Sequence, residues 1–141
     1  MRALKMNEKG DHSSIGQDCS PVPGGSRFEF DTALAIAMAR DYIDENYCEP
    51  INLDDLAERV GLTRFSLAKQ FRQRFGVSPY RYVCLVRVRQ AQAMMEQGQR
   101  PTEIASEVGF FDQSHLARHF KRLCGMTPRQ YRTRCLQAAA Q

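Results

Sequence analysis

Arg64, Phe65, Ala68, Lys69 and Arg72 fall together at helical spacing, and so do Gln113, Ser114, Ala117, Arg118 and Lys121. These types suit recognition of a polyanion with a readable edge. Lysine and arginine reach phosphates or base edges; Arg118 can bond guanine through two donors, and Gln113 can pair its amide with adenine. Phe65 and Ala68 can touch a thymine methyl, and the small Ala68 and Ala117 let a helix backbone come close to a groove. Phe65 also has a plainer reading as a core residue, since phenylalanine is usually buried.

Other chemistry is thinly represented. His115 and His119 stand four apart on one helix, a spacing able to ligate zinc. No glutamate lies between them in an HExxH pattern, Cys124 is not at ligand spacing, and Arg118 and Lys121 repel a cation. They are read as a surface pair or a phosphate contact, and no metal is expected. No nucleophile converges with a base, so the chain is not expected to be an enzyme. There is no GxGxxG or Walker pattern and no cofactor is expected; Gly61, Gly76, Gly98, Gly109 and Gly125 punctuate helices. The five cysteines are odd in number and form no CxxC, which predicts free thiols in a reducing cytosol. Cys48, Cys124 and Cys135 sit beside apolar periodic positions and are expected to be buried; Cys19 is expected to be exposed.

Charge separates the 141-residue chain into two parts. Residues 1–50 hold 5 Lys/Arg against 9 Asp/Glu, whereas residues 51–141 hold 15 against 7. The basic excess lies with the two candidate reading sets, as a polyanion partner requires. No apolar run approaches the ~18 residues of a membrane span, and the N-terminus lacks a secretion-signal pattern.

The elements that must position these side chains come as a repeat. LAERVGLTRFSLAKQFRQRFGVSPYRY at 56–82 is echoed by IASEVGFFDQSHLARHFKRLCGMTPRQY at 104–131. Ala57, Val60 and Gly61 answer to Ala105, Val108 and Gly109 at a spacing of 48; Leu67, Phe71, Gly76, Pro79 and Tyr82 answer to Leu116, Phe120, Gly125, Pro128 and Tyr131 at 49. One extra residue in the second copy therefore falls beside the turn, where insertion costs least. Each copy reads as short helix, glycine turn, longer basic helix, glycine stop and Ser/Thr-Pro restart. Leu67, Phe71 and Phe75 form an inward stripe in the first copy, and Leu116, Phe120 and Leu123 in the second. Subtracting those stripes leaves the two outward sets. Thr63 and Asp112 are the expected caps.

Around the repeat, a packing helix is expected from an Asp31 cap to about Tyr47, with Ile36, Ala39, Ile43 and Tyr47 on one face. A linker helix runs from about Pro79 to Gln97, with Tyr82, Val86, Val88, Ala91, Met94 and Met95 packing. The last helix ends near Leu136. The fold is expected to be all-α, about seven helices, as two helix-turn-helix modules joined by the long linker helix. The expected divisions are a disordered tail over 1–30, a first module with packing and linker helices over 31–98, a second module over 99–136, and a tail over 137–141.

With these motifs in view, residues about 33–136 resemble the DNA-binding domain of the AraC/XylS family of bacterial transcription regulators. The carriers are LDDLAERVGLTRFSLAKQFRQRFGVSPYRY, the spacer RVRQAQAMM and, above all, IASEVGFFDQSHLARHFKRLCGMTPRQYR. The resemblance implies double-stranded DNA as partner, transcription activation through RNA polymerase, and a cytoplasmic location at the nucleoid. By motif position it puts base-facing places on Phe65, Ala68, Lys69 and Arg72, and on Gln113, Ser114, Ala117 and Arg118. With only a 30-residue tail expected before the first helix, the chain resembles the stand-alone members of the MarA/SoxS type. Cys84, Leu85 and Val86 depart from relatives that carry arginines on the linker; they are expected to withhold a phosphate contact or to form a surface for another protein.

A linker of nearly ~30 Å is comparable with the ~34 Å between successive major-groove faces, so a monomer on an asymmetric site is expected. The alternative is a protein-interaction regulator that keeps the fold and acts on a partner without specific DNA reading. Such an adaptor does not need Lys69, Arg72, Arg118 and Lys121 on the outward faces.

Overall fold

The computed structural model describes the backbone of residues 26–140 and the side chains of residues 31–140. Of the tail expected over 1–30, residues 1–25, with Cys19, lie outside the described residues. Among them the chain forms seven α-helices and no strand: α1 Ser26–Asn46, α2 Leu53–Val60, α3 Arg64–Phe75, α4 Pro79–Glu96, α5 Pro101–Glu107, α6 Gln113–Cys124 and α7 Pro128–Ala140. No described helix is long and apolar enough to cross a membrane. The described residues pack as two units, 26–41 with 53–79, and 42–52 with 80–140.

In the first unit α2 packs on α3. The periodic stripe is the reason: Leu56, Ala57, Leu67 and Phe71 are all buried. Thr63 begins α3 in extended backbone and its hydroxyl accepts the Ser66 N–H at 3.0 Å. Gly76 ends it in the left-handed region (φ 82°), its N–H donating to the Arg72 carbonyl. Phe75 lies edge-on to Phe71 at 4.8 Å, with the Arg40 guanidinium 5.3 Å from its ring centre.

In the second unit α5 packs on α6 and α6 on α7. Cys84, Val88, Ala91 and Met95 of α4 share one core with Ile104, Leu116 and Phe120. The sequence division placed the linker helix with the first module; of its expected packing residues, Val88, Ala91 and Met95 instead belong to this second core and Met94 packs against it, while Tyr82 and Val86 are buried outside that cluster. Arg87 is also buried on α4, at 8% exposure. Its Nε donates to the Tyr47 carbonyl at 2.7 Å and its Nη2 to the Glu49 carbonyl at 3.0 Å. Tyr82 Oη donates to Asp44 Oδ1 at 2.8 Å. Together these bonds hold the end of α1 and the following turn to α4.

Four sequence expectations are corrected. Helix α1 starts at Ser26 rather than after an Asp31 cap, because no glycine or proline stands between them to interrupt it. Helix α7 continues through 137–140, a Gln-Ala-Ala-Ala run of strong helix formers, so those residues are not a tail. Cys48 is exposed, in a turn whose flanking carbonyls, those of Tyr47 and Glu49, accept from Arg87. Of Cys84, Leu85 and Val86, Cys84 and Val86 are buried at 3% and 4% and offer no docking surface, while Leu85 is half-buried.

Candidate nucleic-acid interface

The structure gives both modules the same local hydrogen-bond register. At the turn, Leu62 N–H donates to the Ala57 carbonyl and Phe110 N–H to the Ala105 carbonyl, each at 2.9 Å. At the helix start, Asp112 Oδ1 accepts the His115 N–H at 2.8 Å, as Thr63 accepts that of Ser66. At the helix end, Gly125 N–H donates to the Lys121 carbonyl at 2.8 Å, as Gly76 does to Arg72. The equivalence Leu62–Phe110 keeps a spacing of 48 and the equivalence Thr63–Asp112 one of 49. The single inserted residue is therefore Phe111.

Every candidate contact residue lies on α3 or α6, off the buried stripe. Arg64, Phe65, Lys69 and Arg72 are exposed and Ala68 is half-buried; Gln113, Ser114, Arg118 and Lys121 are exposed and Ala117 is half-buried. Phe65 is 76% exposed, so it is no core residue. Register pairs Arg64 with Gln113, Phe65 with Ser114, Ala68 with Ala117, Lys69 with Arg118 and Arg72 with Lys121. The first helix thus carries more charge and the second more neutral hydrogen-bonding capacity at its N-terminal end. Arg64 Nε lies 3.7 Å from Asp54 Oδ1, but both side chains are solvated and such a pair holds the arginine only weakly.

The two histidines sit differently from the surface pair expected. Both are half-buried. The His119 ring stacks on Phe110, centres 5.3 Å apart and planes 12° apart, and His115 meets Phe110 edge-on at 5.1 Å. His115 Nδ1 accepts the Phe111 N–H at 3.2 Å, which leaves the ring proton on Nε2. Burial lowers the His119 pKa, aided by His115, Arg122, Arg118 and Arg87. The pair braces the turn ahead of α6.

Two residues outside the sequence reading matter here. Arg87 underlies the same turn, its guanidinium 5.6 Å from the Phe110 ring centre. Burial works against its charge, and carbonyl acceptors offset that cost. Its partners lie about forty positions away, so no local pattern marks it. Phe111 is 87% exposed at the entrance to α6. The extra residue in the repeat was its signal, but the repeat alone left open which residue was extra.

Comparison with known proteins agrees with this arrangement. Residues 56–134 match the family model described as a helix-turn-helix domain. An uncharacterized HTH-type transcriptional regulator of Bacillus subtilis, YbfI, is 38% identical over 81 residues, covering 57% of this chain and 30% of the relative. The HTH-type transcriptional activator RhaS of Escherichia coli O139:H28 is 29% identical over 102 residues, covering 72% of this chain and 37% of the relative. The chain spans between 30% and 54% of the length of the first such relatives. Among solved structures, the DNA-binding domain of AdpA in complex with a target DNA superposes with a TM-score of 0.71 at 28% identity, covering 75% of this chain and 96% of that one. An AraC-type regulator from Chromobacterium violaceum superposes with a TM-score of 0.68 at 26% identity, covering 74% and 95%.

Proposed function

This chain belongs to the AraC-type family of helix-turn-helix, DNA-binding transcription regulators, and we propose that it activates transcription by reading two successive major-groove faces of one asymmetric promoter site. The observation that carries the two-reader reading is the shared register of α3 and α6, each capped, glycine-stopped and polar or basic on its solvated face. In this reading α2 and α5 brace against the backbone while the N-terminal turns of α3 and α6 enter the groove. Arg118 and Gln113 specify bases, Phe65 and Ala68 meet thymine methyls, and Lys69, Arg72 and Lys121 supply phosphate or base-edge contacts. Arg64, Ser114 and Ala117 complete the two contacting faces.

Helix α4 joins the modules along the chain; its 18 residues span about 27 Å, of the order of one turn of B-DNA. Two readers in one chain let it bind as a monomer, and the unlike outward faces of α3 and α6 favour a non-palindromic site. Activation is supported by the naming of RhaS relatives as activators, and contact with RNA polymerase is the proposed route.

Selection of bound sequences from random DNA, followed by footprinting, tests the proposal. Two dissimilar half-motifs about one helical turn apart are expected. A footprint confined to one turn, or a palindrome bound by a dimer, overturns it.

A further inference from the structure

The residue that distinguishes the second turn from the first is a phenylalanine turned to solvent. Phe110 and Phe111 are adjacent, yet they are 3% and 87% exposed. Phe110 is fixed inward by its stack on His119 and by its N–H bond to Ala105. Phe111 N–H is held by His115 Nδ1, and the next residue, Asp112, caps α6. The backbone on both sides of Phe111 is thus anchored, and its ring projects from a built turn.

Phe111 comes two residues before the N-terminal end of α6, whose first residues, Gln113 and Ser114, are exposed as well. This is the end of a reading helix that enters the major groove. The one apolar group in that groove that marks a base is the thymine C5-methyl. We propose that Phe111 is a specificity-determining residue that packs on a thymine methyl at the edge of the half-site read by α6. The first module lacks the inserted residue, so the methyl response that depends on Phe111 is confined to the second half-site, separate from the methyls assigned to Phe65 and Ala68. The proposal rests on the DNA-reading function above.

The test uses the full chain and its selected site, with each thymine replaced in turn by deoxyuridine, which removes the methyl and keeps every hydrogen-bonding group. Burying one methyl corresponds to about a 4-fold change in affinity. At one or two thymines in the second half-site the wild type is expected to lose about that factor. Phe111→Ala is expected to bind thymine and deoxyuridine DNA equally there, whereas Phe111→Leu keeps part of the preference. Because the ring is exposed, both variants are expected to melt like the wild type. If the wild type binds its site specifically but ignores every methyl, or Phe111→Ala retains the full methyl response, the role of Phe111 is overturned and the DNA-reading function stands. If the wild type shows no sequence preference at all, both fall.

Discussion

Arg87 and Gly109 are in contact across a gap with no room for a methyl group: a Cβ on Gly109 falls 2.8 Å from Arg87 Nε and 2.9 Å from the Tyr47 carbonyl oxygen. Gly109 also has a φ of 101°, which L side chains rarely adopt. Gly61, its counterpart in the first module, shares the positive φ but has nothing within 4 Å of a Cβ. Gly109→Ala is therefore expected to destabilise the second unit by roughly 2–4 kcal/mol, combining backbone strain with overpacking. Gly61→Ala is expected to cost about 1–2 kcal/mol from backbone conformation alone. Urea unfolding of the two variants measures the difference; equal losses show that the Arg87 contact yields freely.

Leu116→Ala and Phe120→Ala remove side chains with no exposed surface from the core shared by α4, α5 and α6. Each is expected to cost about 2–5 kcal/mol. Amide hydrogen exchange is expected to quicken across residues 101–136 in these variants, and wild-type protection there refutes their place at the centre of this core.

Arg118→Ala is expected to weaken specific binding by about 1–3 kcal/mol and to relax base choice at one position of the selected site. Lys121→Ala is expected to weaken binding alike on all sequences and to lower the salt dependence by about one counterion. Titrations against the selected site and its single-base variants at several salt concentrations separate the two roles. A uniform loss with Arg118→Ala reassigns that residue to a phosphate.

Stability is expected to fall on mild acidification. The His119 pKa lies below its ordinary value in the folded chain, first because burial disfavours the charged ring and then because His115, Arg122, Arg118 and Arg87 add positive charge. The unfolded chain therefore binds the proton more readily. The contribution of neutral His119 is complete above the unfolded value of about 6.5, and it is lost as pH falls from there toward the lower folded value. Melting temperatures between pH 7.5 and 5 check this. His119→Asn is expected to flatten the dependence, and an unchanged slope assigns it to other groups.

Much of this protein was settled by its sequence, for a local reason. Caps, stops and stripes act within one or two turns of a helix, through bonds such as Thr63 to Ser66 and Asp112 to His115. Residue types a few positions apart therefore suffice to read helices α2 to α6, their buried faces and their solvated candidate contacts. Thr127 and Gln130 exchange reciprocal bonds at the start of α7 in the same way. The repeat spacing likewise showed that one residue had been inserted beside the second turn.

Tertiary structure decided what depends on distant partners. Phe110 and Phe111 are the same residue type side by side, and only the His119 ring and the glycine turn determine which is buried. Arg87 reads as one more basic residue until the carbonyls of Tyr47 and Glu49, about forty positions earlier, arrive to accept its protons. Cys48, between those two carbonyl residues, is exposed although it sits beside apolar periodic positions. The sequence reading placed helix α4 with the first module, and side-chain packing gives Cys84, Val88, Ala91 and Met95 to the second core. Helix periodicity says which face is apolar; it carries no term for which other apolar face will meet it.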